Sequence, residues 1–252
     1  MNQAPGTVTR ADLWRVVARS FLLQALWNRE RMQGQGLAYA LRPVARRLAG
    51  ASGEAGWLAR HLGFFNTQPA FASYALGVVA RLEAERARAE GPPEETIEQA
   101  KSTLGPALAA VGDSLIWSSI RPPTAVIGAL WALEGSPYGA LVFLFLYNSF
   151  HLLVRVRGVF AGWRLGLKFW DEEMRARLRH TRLVVCLAGT LAGFALVDVL
   201  ANRLVGGHPT SGIWLVVGLA IGLAWGEGRR VSAAALGIGL FAVALAWATW
   251  VP

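Results

Sequence analysis

Apolar positions fall into helical runs that lengthen toward the C-terminus. After a polar leader, residues 1–12, the chain from Leu13 to about Gly50 follows an amphipathic helical pattern. Phe21, Leu22, Ala25 and Leu26 make its apolar stripe, and the polar run Asn28-Arg29-Glu30-Arg31 follows. Small residues four apart, Gly34 with Ala38 and Gly36 with Ala40, would let a neighbouring helix backbone come close. No part of this stretch is apolar enough to cross a bilayer alone. Residues 57–69 continue as a predicted helix that stops at Pro69, because the residue before proline is pushed out of the α region. Apolar Ala70 to Val79 then runs into Arg81, Glu83, Glu85, Arg86, Arg88 and Glu90 and breaks at Gly91-Pro92-Pro93. Glu94 to Lys101 reads as a short, water-facing helix start.

Leu104 to Ile120 is apolar but interrupted by Gly105-Pro106, Gly112-Asp113-Ser114 and Ser118-Ser119. That pattern predicts a broken or re-entrant helix, which survives at membrane depth only where protein or a water cavity surrounds it. Thr124 to Leu133 is apolar again and breaks at Glu134-Gly135-Ser136-Pro137. Residues 138–154 form a candidate span carrying Asn148 and His151, and 183–200, 213–226 and 231–250 are three further apolar helices. The basic segments 155–182 and Arg229-Arg230 flank these helices on one side. The positive-inside rule puts both in the cytoplasm, with the Ala201–Gly212 loop and the C-terminus outside. The expected architecture is therefore an all-α polytopic helical membrane protein with broken or re-entrant helices in its central part. Its parts are a flexible leader (1–12), a core (13–170) and C-terminal membrane helices (171–252).

Composition agrees. Only 16% of the 252 residues are charged, where a soluble domain carries about a quarter; 54% are hydrophobic and eleven are tryptophan. The net charge of +9 would admit nucleic acid as a partner. The arginines, however, sit in short clusters beside apolar runs, which fits the positive-inside rule better than a groove for phosphates. Cys186 is the lone cysteine, so neither an intrachain disulfide nor a cysteine metal site is expected. The leader lacks the apolar core of a cleaved signal peptide. With no P-loop, no metal-ligand spacing and no Ser-His-Asp candidate, neither a cofactor nor a catalytic residue is expected in this chain.

Four segments carry a family resemblance: Asn28-Arg29-Glu30-Arg31-Met32-Gln33-Gly34; Arg60 through Phe64-Phe65-Asn66-Thr67-Gln68-Pro69; Gly112-Asp113-Ser114 with Trp117 and Arg121-Pro122; and Leu165-Gly166-Leu167-Lys168. In this order they resemble the IID proteins of the mannose/fructose/sorbose sugar phosphotransferase systems, strongly over residues 13–170 and only in character beyond. The resemblance implies a membrane subunit that pairs obligately with a IIC subunit, in larger assemblies of the bacterial cytoplasmic membrane. Together the two would carry a hexose-type sugar inward while IIB, charged by IIA, phosphorylates it. The phosphorylated histidines of such systems belong to IIA and IIB, so none is expected here. The chain departs from the family pattern at Gln68, where histidine is usual, at Arg29, where tyrosine is usual, and after Pro69, where a proline-rich continuation is missing. Gln68 cannot titrate, which puts a proton-dependent role there in doubt.

The candidate substrate-binding residues are Glu30, Gln33, Asn66, Thr67, Gln68, Asp113 and Ser114. An unpaired carboxylate in lipid costs about 2.5–3.5 kcal/mol even on the lenient insertion scale, so Asp113 needs a partner, a cavity or a helix terminus. It could line the sugar path with Ser114, cap a helix break, or pair with Arg121. Asn66-Thr67-Gln68 could hydrogen-bond a sugar or cap the following helix. Glu30 and Gln33, three apart on one predicted helix face, could meet sugar, or Glu30 could pair with a nearby arginine. His61 reads as a structural hydrogen-bonder and His151 as a buried contact between helices. The tryptophans read as interface anchors or packing, with sugar stacking the alternative at Trp117. A rival to transport is a scaffold or regulatory subunit that kept the fold and lost the activity.

Overall fold

The computed structural model describes residues 6–88 and 91–170, with Leu183 and Thr190 besides. Apart from those two positions, the predicted C-terminal helices, Cys186 and the outward C-terminus lie outside the described residues. Among the described residues the elements are helical, joined by two isolated bridges, Asn28 to Met32 and Met32 to Phe65. The chain divides into two compact units, Met1–Leu115 with Asn148–Ala176, and Ile116–Tyr147 with Arg177–Pro252.

In the first unit, α1 (Arg10–Ser20) starts inside the expected leader because Thr9 and Asp12 form a capping box. Asp12 Oδ2 accepts from the Thr9 N–H at 3.0 Å, while the Asp12 N–H donates to Thr9 Oγ1 at 3.2 Å. The single helix expected from Leu13 to Gly50 is two elements. Tight turns after Ser20, with the Leu22 N–H on the Arg19 carbonyl and Leu23 on Ser20, end α1. The second element, α2, is Gly34–Ala59. It bends at Gly50, whose φ of 67° is a left-handed value that glycine adopts without strain. α1 packs on α2 through Leu13, Val16, Val17, Leu37, Leu41 and Val44, all buried. Each such side chain contributes about 1.5–3 kcal/mol relative to exposure.

α3 (Ala72–Arg86) is buried almost all round. It packs on α4 (Glu94–Asp113), whose first-turn Glu94 and Glu95 complement the helix dipole. The C-terminal part of α6 (Gly139–Leu165) crosses α3 at Gly77, Gly158 and Gly162, where backbones come close enough that no Cβ would fit. Ser73 Oγ donates to the Val154 carbonyl at 3.2 Å in the same crossing.

The predicted interruption of 104–120 takes a particular form. Pro106 is accommodated inside α4, and the helix runs on as a π-helical stretch, Ser114–Ile120, into α5 (Arg121–Leu133). Wide π turns inside helices often mark functional positions. In the second unit, α5 carries prolines in its first turn and ends at the expected break. The Gly135 N–H donates to Ala132 and the Ser136 N–H to Trp131, both at 3.0 Å, with Gly135 at φ 82°. Gly128 and Gly139 then allow α5 and the start of α6 to touch. The stretch Gly139–Lys168, which contains α6, has a mean hydropathy of 1.6 in its most apolar window and is the one segment among the described residues long and apolar enough to cross a membrane.

Candidate functional site

Two of the resembling segments and the Gly112–Ser114 start of a third come together within the first unit. Asn28 Oδ1 accepts the N–H groups of Glu30 (3.2 Å) and Arg31 (2.8 Å), closing a turn that Met32 completes with φ 51°. Residues 28–33 are thus a turn, which corrects the expectation that Glu30 and Gln33 share a helix face. Glu30 is exposed and Gln33 is buried. The physical reason is a backbone ladder: the Gln33 N–H donates to the Phe65 carbonyl at 2.8 Å, and the Phe65 N–H to the Arg31 carbonyl at 3.3 Å. The same ladder replaces the helix expected over 57–69, since α2 ends at Ala59 and the chain runs irregularly to Pro69.

Gln33 then uses its side chain on the second segment. Its Nε2 donates to the Thr67 carbonyl at 2.7 Å, and its Oε1 accepts the Thr67 N–H at 3.2 Å. Gln68 Oε1 accepts the N–H groups of Ala70 (2.7 Å) and Phe71 (3.1 Å), the donors left open at the start of α3. The third segment closes from the other side. A Cβ at Gly112 would lie 2.5 Å from Gln68 Cβ, and one at Gly105 would lie 3.1 Å from the Asn66 carbonyl oxygen. The small residues at Gly34 and Gly36 also serve close approach, but to the backbones of Gly63 and Leu23 in turns rather than to another helix.

The seven candidates therefore divide. Gln33 and Gln68 are buried and committed to local structure, which favours the capping reading for Gln68. Asn66, Asp113 and Glu30 are exposed, and Ser114 is half-buried. Asp113 closes α4 as the helix continues through it, so it caps no break. Arg121, its alternative ion-pair partner, lies 5.0 Å over the Trp117 ring. Thr67 is 4% exposed, and its hydroxyl has no hydrogen-bond partner among the described residues. A buried hydroxyl left open costs about 1–3 kcal/mol. Two open grooves lie elsewhere, one of about 580 Å³ beside Arg86 and Glu94, and one of about 1050 Å³ between α1 and α2.

A buried charged cluster beside this knot went unread in the sequence. His61 Nε2 lies 3.0 Å from Glu83 Oε1, and Arg60 Nη2 donates to Glu83 Oε2 at 3.1 Å. Lys101 Nζ donates to the Arg60 carbonyl at 3.1 Å, lies 3.5 Å from His61 Nδ1 and pairs with Glu98. Burial pulls the His61 ring below its ordinary range, and the lysine charge adds to this against the pull of Glu83. The ring is then neutral, carrying its proton on Nε2 toward Glu83. Burial pushes Glu83 up, but hydrogen bonds from His61 and Arg60, with the arginine charge, hold it below the usual carboxylate range. The signal was available in the helical phase. Glu83 stands four beyond Val79 and seven beyond Leu76, and Lys101 stands between Ile97 and Leu104 on the buried face of α4.

With that geometry in place, comparison with known proteins is decisive. The profile of the phosphotransferase-system mannose/fructose/sorbose family IID component matches residues 7–206. The chain belongs to that IID family. It is 41% identical over 162 residues to the mannose-specific EIID component of Escherichia coli K12, covering 64% of this chain and 57% of that relative. It is 38% identical to the sorbose-specific EIID component of Klebsiella pneumoniae, covering 66% of this chain and 61% of the other. The fructose permease IID component of Bacillus subtilis is 31% identical, covering 76% of this chain and 70% of that one. The matched stretch thus spans less than two thirds of the length of the mannose and sorbose relatives. Among solved structures, a cryo-EM complex of the mannose transporter ManYZ with a microcin matches with a TM-score of 0.61 and 28% identity, covering 95% of this chain and 96% of that chain. A second structure, described as a membrane protein, matches at 0.67 and 29%, with the same coverage. For this IID chain, the turn at 28–34, the loop at 60–69 and the end of α4 are one packed feature rather than separate sites.

Proposed function

We propose that this chain is the IID membrane subunit of a mannose-type sugar phosphotransferase system, forming with IIC the translocation unit whose sugar IIB phosphorylates. The observation that carries the reading is the convergence of Asn28–Gly34 and Arg60–Pro69 into one hydrogen-bonded knot, against which Gly112 packs, in a chain of this family. IIA would recharge IIB, and the protein would sit in the bacterial cytoplasmic membrane with α6 as one span. The sugar contacts fall to the Thr67 hydroxyl, which the knot leaves unpartnered, and to the exposed Asn66 amide and Asp113 carboxylate, with half-buried Ser114 next in the chain. Amides, hydroxyls and carboxylates together suit a polyhydroxyl ligand, which needs both donors and acceptors. Release toward IIB by alternating access follows, since such sites lie near irregular helices.

The test is phosphoenolpyruvate-dependent uptake of labelled hexoses into vesicles holding this chain with its IIC, IIB and IIA partners. Wild type is compared with Asp113→Asn, Asn66→Ala and Thr67→Val, each checked for assembly with IIC. Uptake by wild type and loss in assembled variants supports both the function and the site. Normal uptake in all three removes the site and keeps the function. An assembled complex that takes up no hexose turns the reading to the transport-inactive scaffold.

A further inference from the structure

α1 carries an apolar stripe on the side away from the core. Ala11, Trp14, Ala18, Phe21 and Leu22 recur at helical spacing and are all exposed, Trp14 at 51% and Phe21 at 50%. In the turns beyond α1, Leu26 and Trp27 are exposed too. A soluble surface rarely leaves such a row in water. The stripe is bordered on one flank by Arg15 and Arg19, which open the groove of about 1050 Å³ lined further by Arg42, Arg46 and Arg47. Five arginines there face two carboxylates: Asp12 takes Arg15 and Arg47 (both 3.0 Å), and Glu54 takes Arg42 and Arg46. Arg19 is left with an Nη1 that is buried and unpaired, its guanidinium held 4.6 Å over the Tyr39 ring. The surplus is cationic.

The height of this surface is set by α6. Trp14 meets Phe160 edge-on at 5.0 Å between ring centroids, Arg155 donates to the Ser20 carbonyl, and its guanidinium lies 4.7 Å from the centre of Phe21. α1 therefore lies against the end of α6 that carries Arg155, Arg157, Arg164 and, just beyond, Lys168, the end that basic residues place at the cytoplasmic headgroups. An apolar stripe with tryptophan, bordered by arginine, at that level has the make-up of an interfacial helix.

We propose that the groove between α1 and α2 binds the phosphate of an anionic phospholipid of the cytoplasmic leaflet, with the exposed stripe of α1 seated at the top of the acyl chains. Guanidinium groups hold phosphate oxygens in pairs, and five of them line or flank this groove. The proposal rests on α6 being a span and does not depend on sugar transport.

The experiment is native mass spectrometry of the full chain, purified in detergent with any IIC subunit that accompanies it, titrated with phosphatidylglycerol, with phosphatidylcholine of the same acyl chains, and with inorganic phosphate. Wild type should retain phosphatidylglycerol in preference to phosphatidylcholine, and more weakly at high salt. The exposed pair Arg15→Gln and Arg46→Gln should cut that occupancy roughly fivefold per arginine, with the melting temperature unchanged. Arg15→Lys with Arg46→Lys should keep most of it, which separates lost charge from lost fold. Equal retention of the two lipids by wild type overturns the proposal and leaves the groove to an acidic protein. Unchanged preference in the glutamine variant overturns it too, as does displacement by inorganic phosphate alone, which would make the groove a free-anion site. Sugar uptake is read separately, so failure here leaves the transport reading standing.

Discussion

Gln33 and Thr67 hold each other in both directions across 34 residues of chain: the glutamine side chain donates to the threonine carbonyl at 2.7 Å and accepts its N–H at 3.2 Å. Both ends are buried, so no water stands ready to replace a lost partner. Gln33→Ala strands a backbone donor and a backbone acceptor at about 1–3 kcal/mol each. Gln33→Glu keeps the acceptor, removes the donor and adds a buried charge. Both variants should unfold at lower temperature than wild type in detergent, and Gln33→Ala should also lose hexose uptake through a displaced Thr67. A Gln33→Ala protein as heat-stable as wild type would mean the clasp holds nothing.

Close approach makes a second, sharper contrast. A Cβ at Gly34 would overlap the Gly63 carbonyl oxygen, a backbone atom with nowhere to go. Gly56 lies in the same helix, exposed, with open space around it. Gly34→Ala should therefore lower the unfolding midpoint markedly. Gly56→Ala should raise stability by about 0.5–1 kcal/mol through helix propensity. The two thermal scans side by side check the packing of the turn on the loop.

How far the sequence carried the reading depends on whether a residue acts locally. The breaks at Gly91-Pro92-Pro93 and Glu134-Gly135-Ser136-Pro137 were legible because turn chemistry resides in the residues themselves. The helix expected over 57–69 was not, because Phe65 is drawn into a ladder with Arg31 and Gln33, a pairing that local periodicity does not encode. The π-helical stretch after Asp113 was legible as a disturbance and not as a geometry. Of the site, the motif residues were found by resemblance, but their division into Gln33 and Gln68, which brace, and Thr67, Asn66 and Asp113, which stay open, exists only in three dimensions. Lys101, expected in a water-facing helix start, is buried, as is Glu83, one of the charges after Val79, because helical phase there outweighs charge.

The buried cluster predicts a pH dependence. The folded pKa of His61 lies below the unfolded value of about 6.5, so on acidification the unfolded chain takes the proton first. Its contribution to stability is complete above that value and is lost as the pH falls through the folded one. The slope is at most about 1.4 kcal/mol per pH unit. Glu83, also held low, acts in the same direction further down, in the carboxylate range. Arg60 faces both groups and Lys101 faces His61, with Glu94 and Glu98 on their outer sides. The unfolding midpoint of wild type should fall between about pH 7 and pH 5.5, and His61→Gln, which cannot titrate, should flatten that part of the curve. An identical slope in the variant would move the effect to other groups.

The crossing of α3 and α6 supplies the last prediction. Gly158 and Gly162 stand four apart on α6, a spacing that lets two helices meet backbone to backbone where lipid offers no hydrophobic drive. A Cβ at Gly162 would lie 2.9 Å from the Val78 nitrogen and nearer still to the Tyr74 carbonyl, and one at Gly158 would strike the Ser73 hydroxyl. The difference between the two sites is what each neighbour can do. Ser73 can swing its hydroxyl aside, losing its bond to the Val154 carbonyl, although its own Cβ stays 2.8 Å from the added methyl. The backbone at Tyr74 and Val78 cannot. Gly158→Ala should thus cost at least one hydrogen bond, about 1 kcal/mol or more, yet less than Gly162→Ala, and a Ser73→Ala background should lessen it. Gly162→Ala should pry α3 from α6, and Ser73→Ala should give no relief. Cysteine pairs placed across the crossing and cross-linked in membranes would read the separation directly: efficient linking in Gly158→Ala and weak linking in Gly162→Ala is the expected pattern, and equal linking in both would show that the glycines are not what brings these helices together.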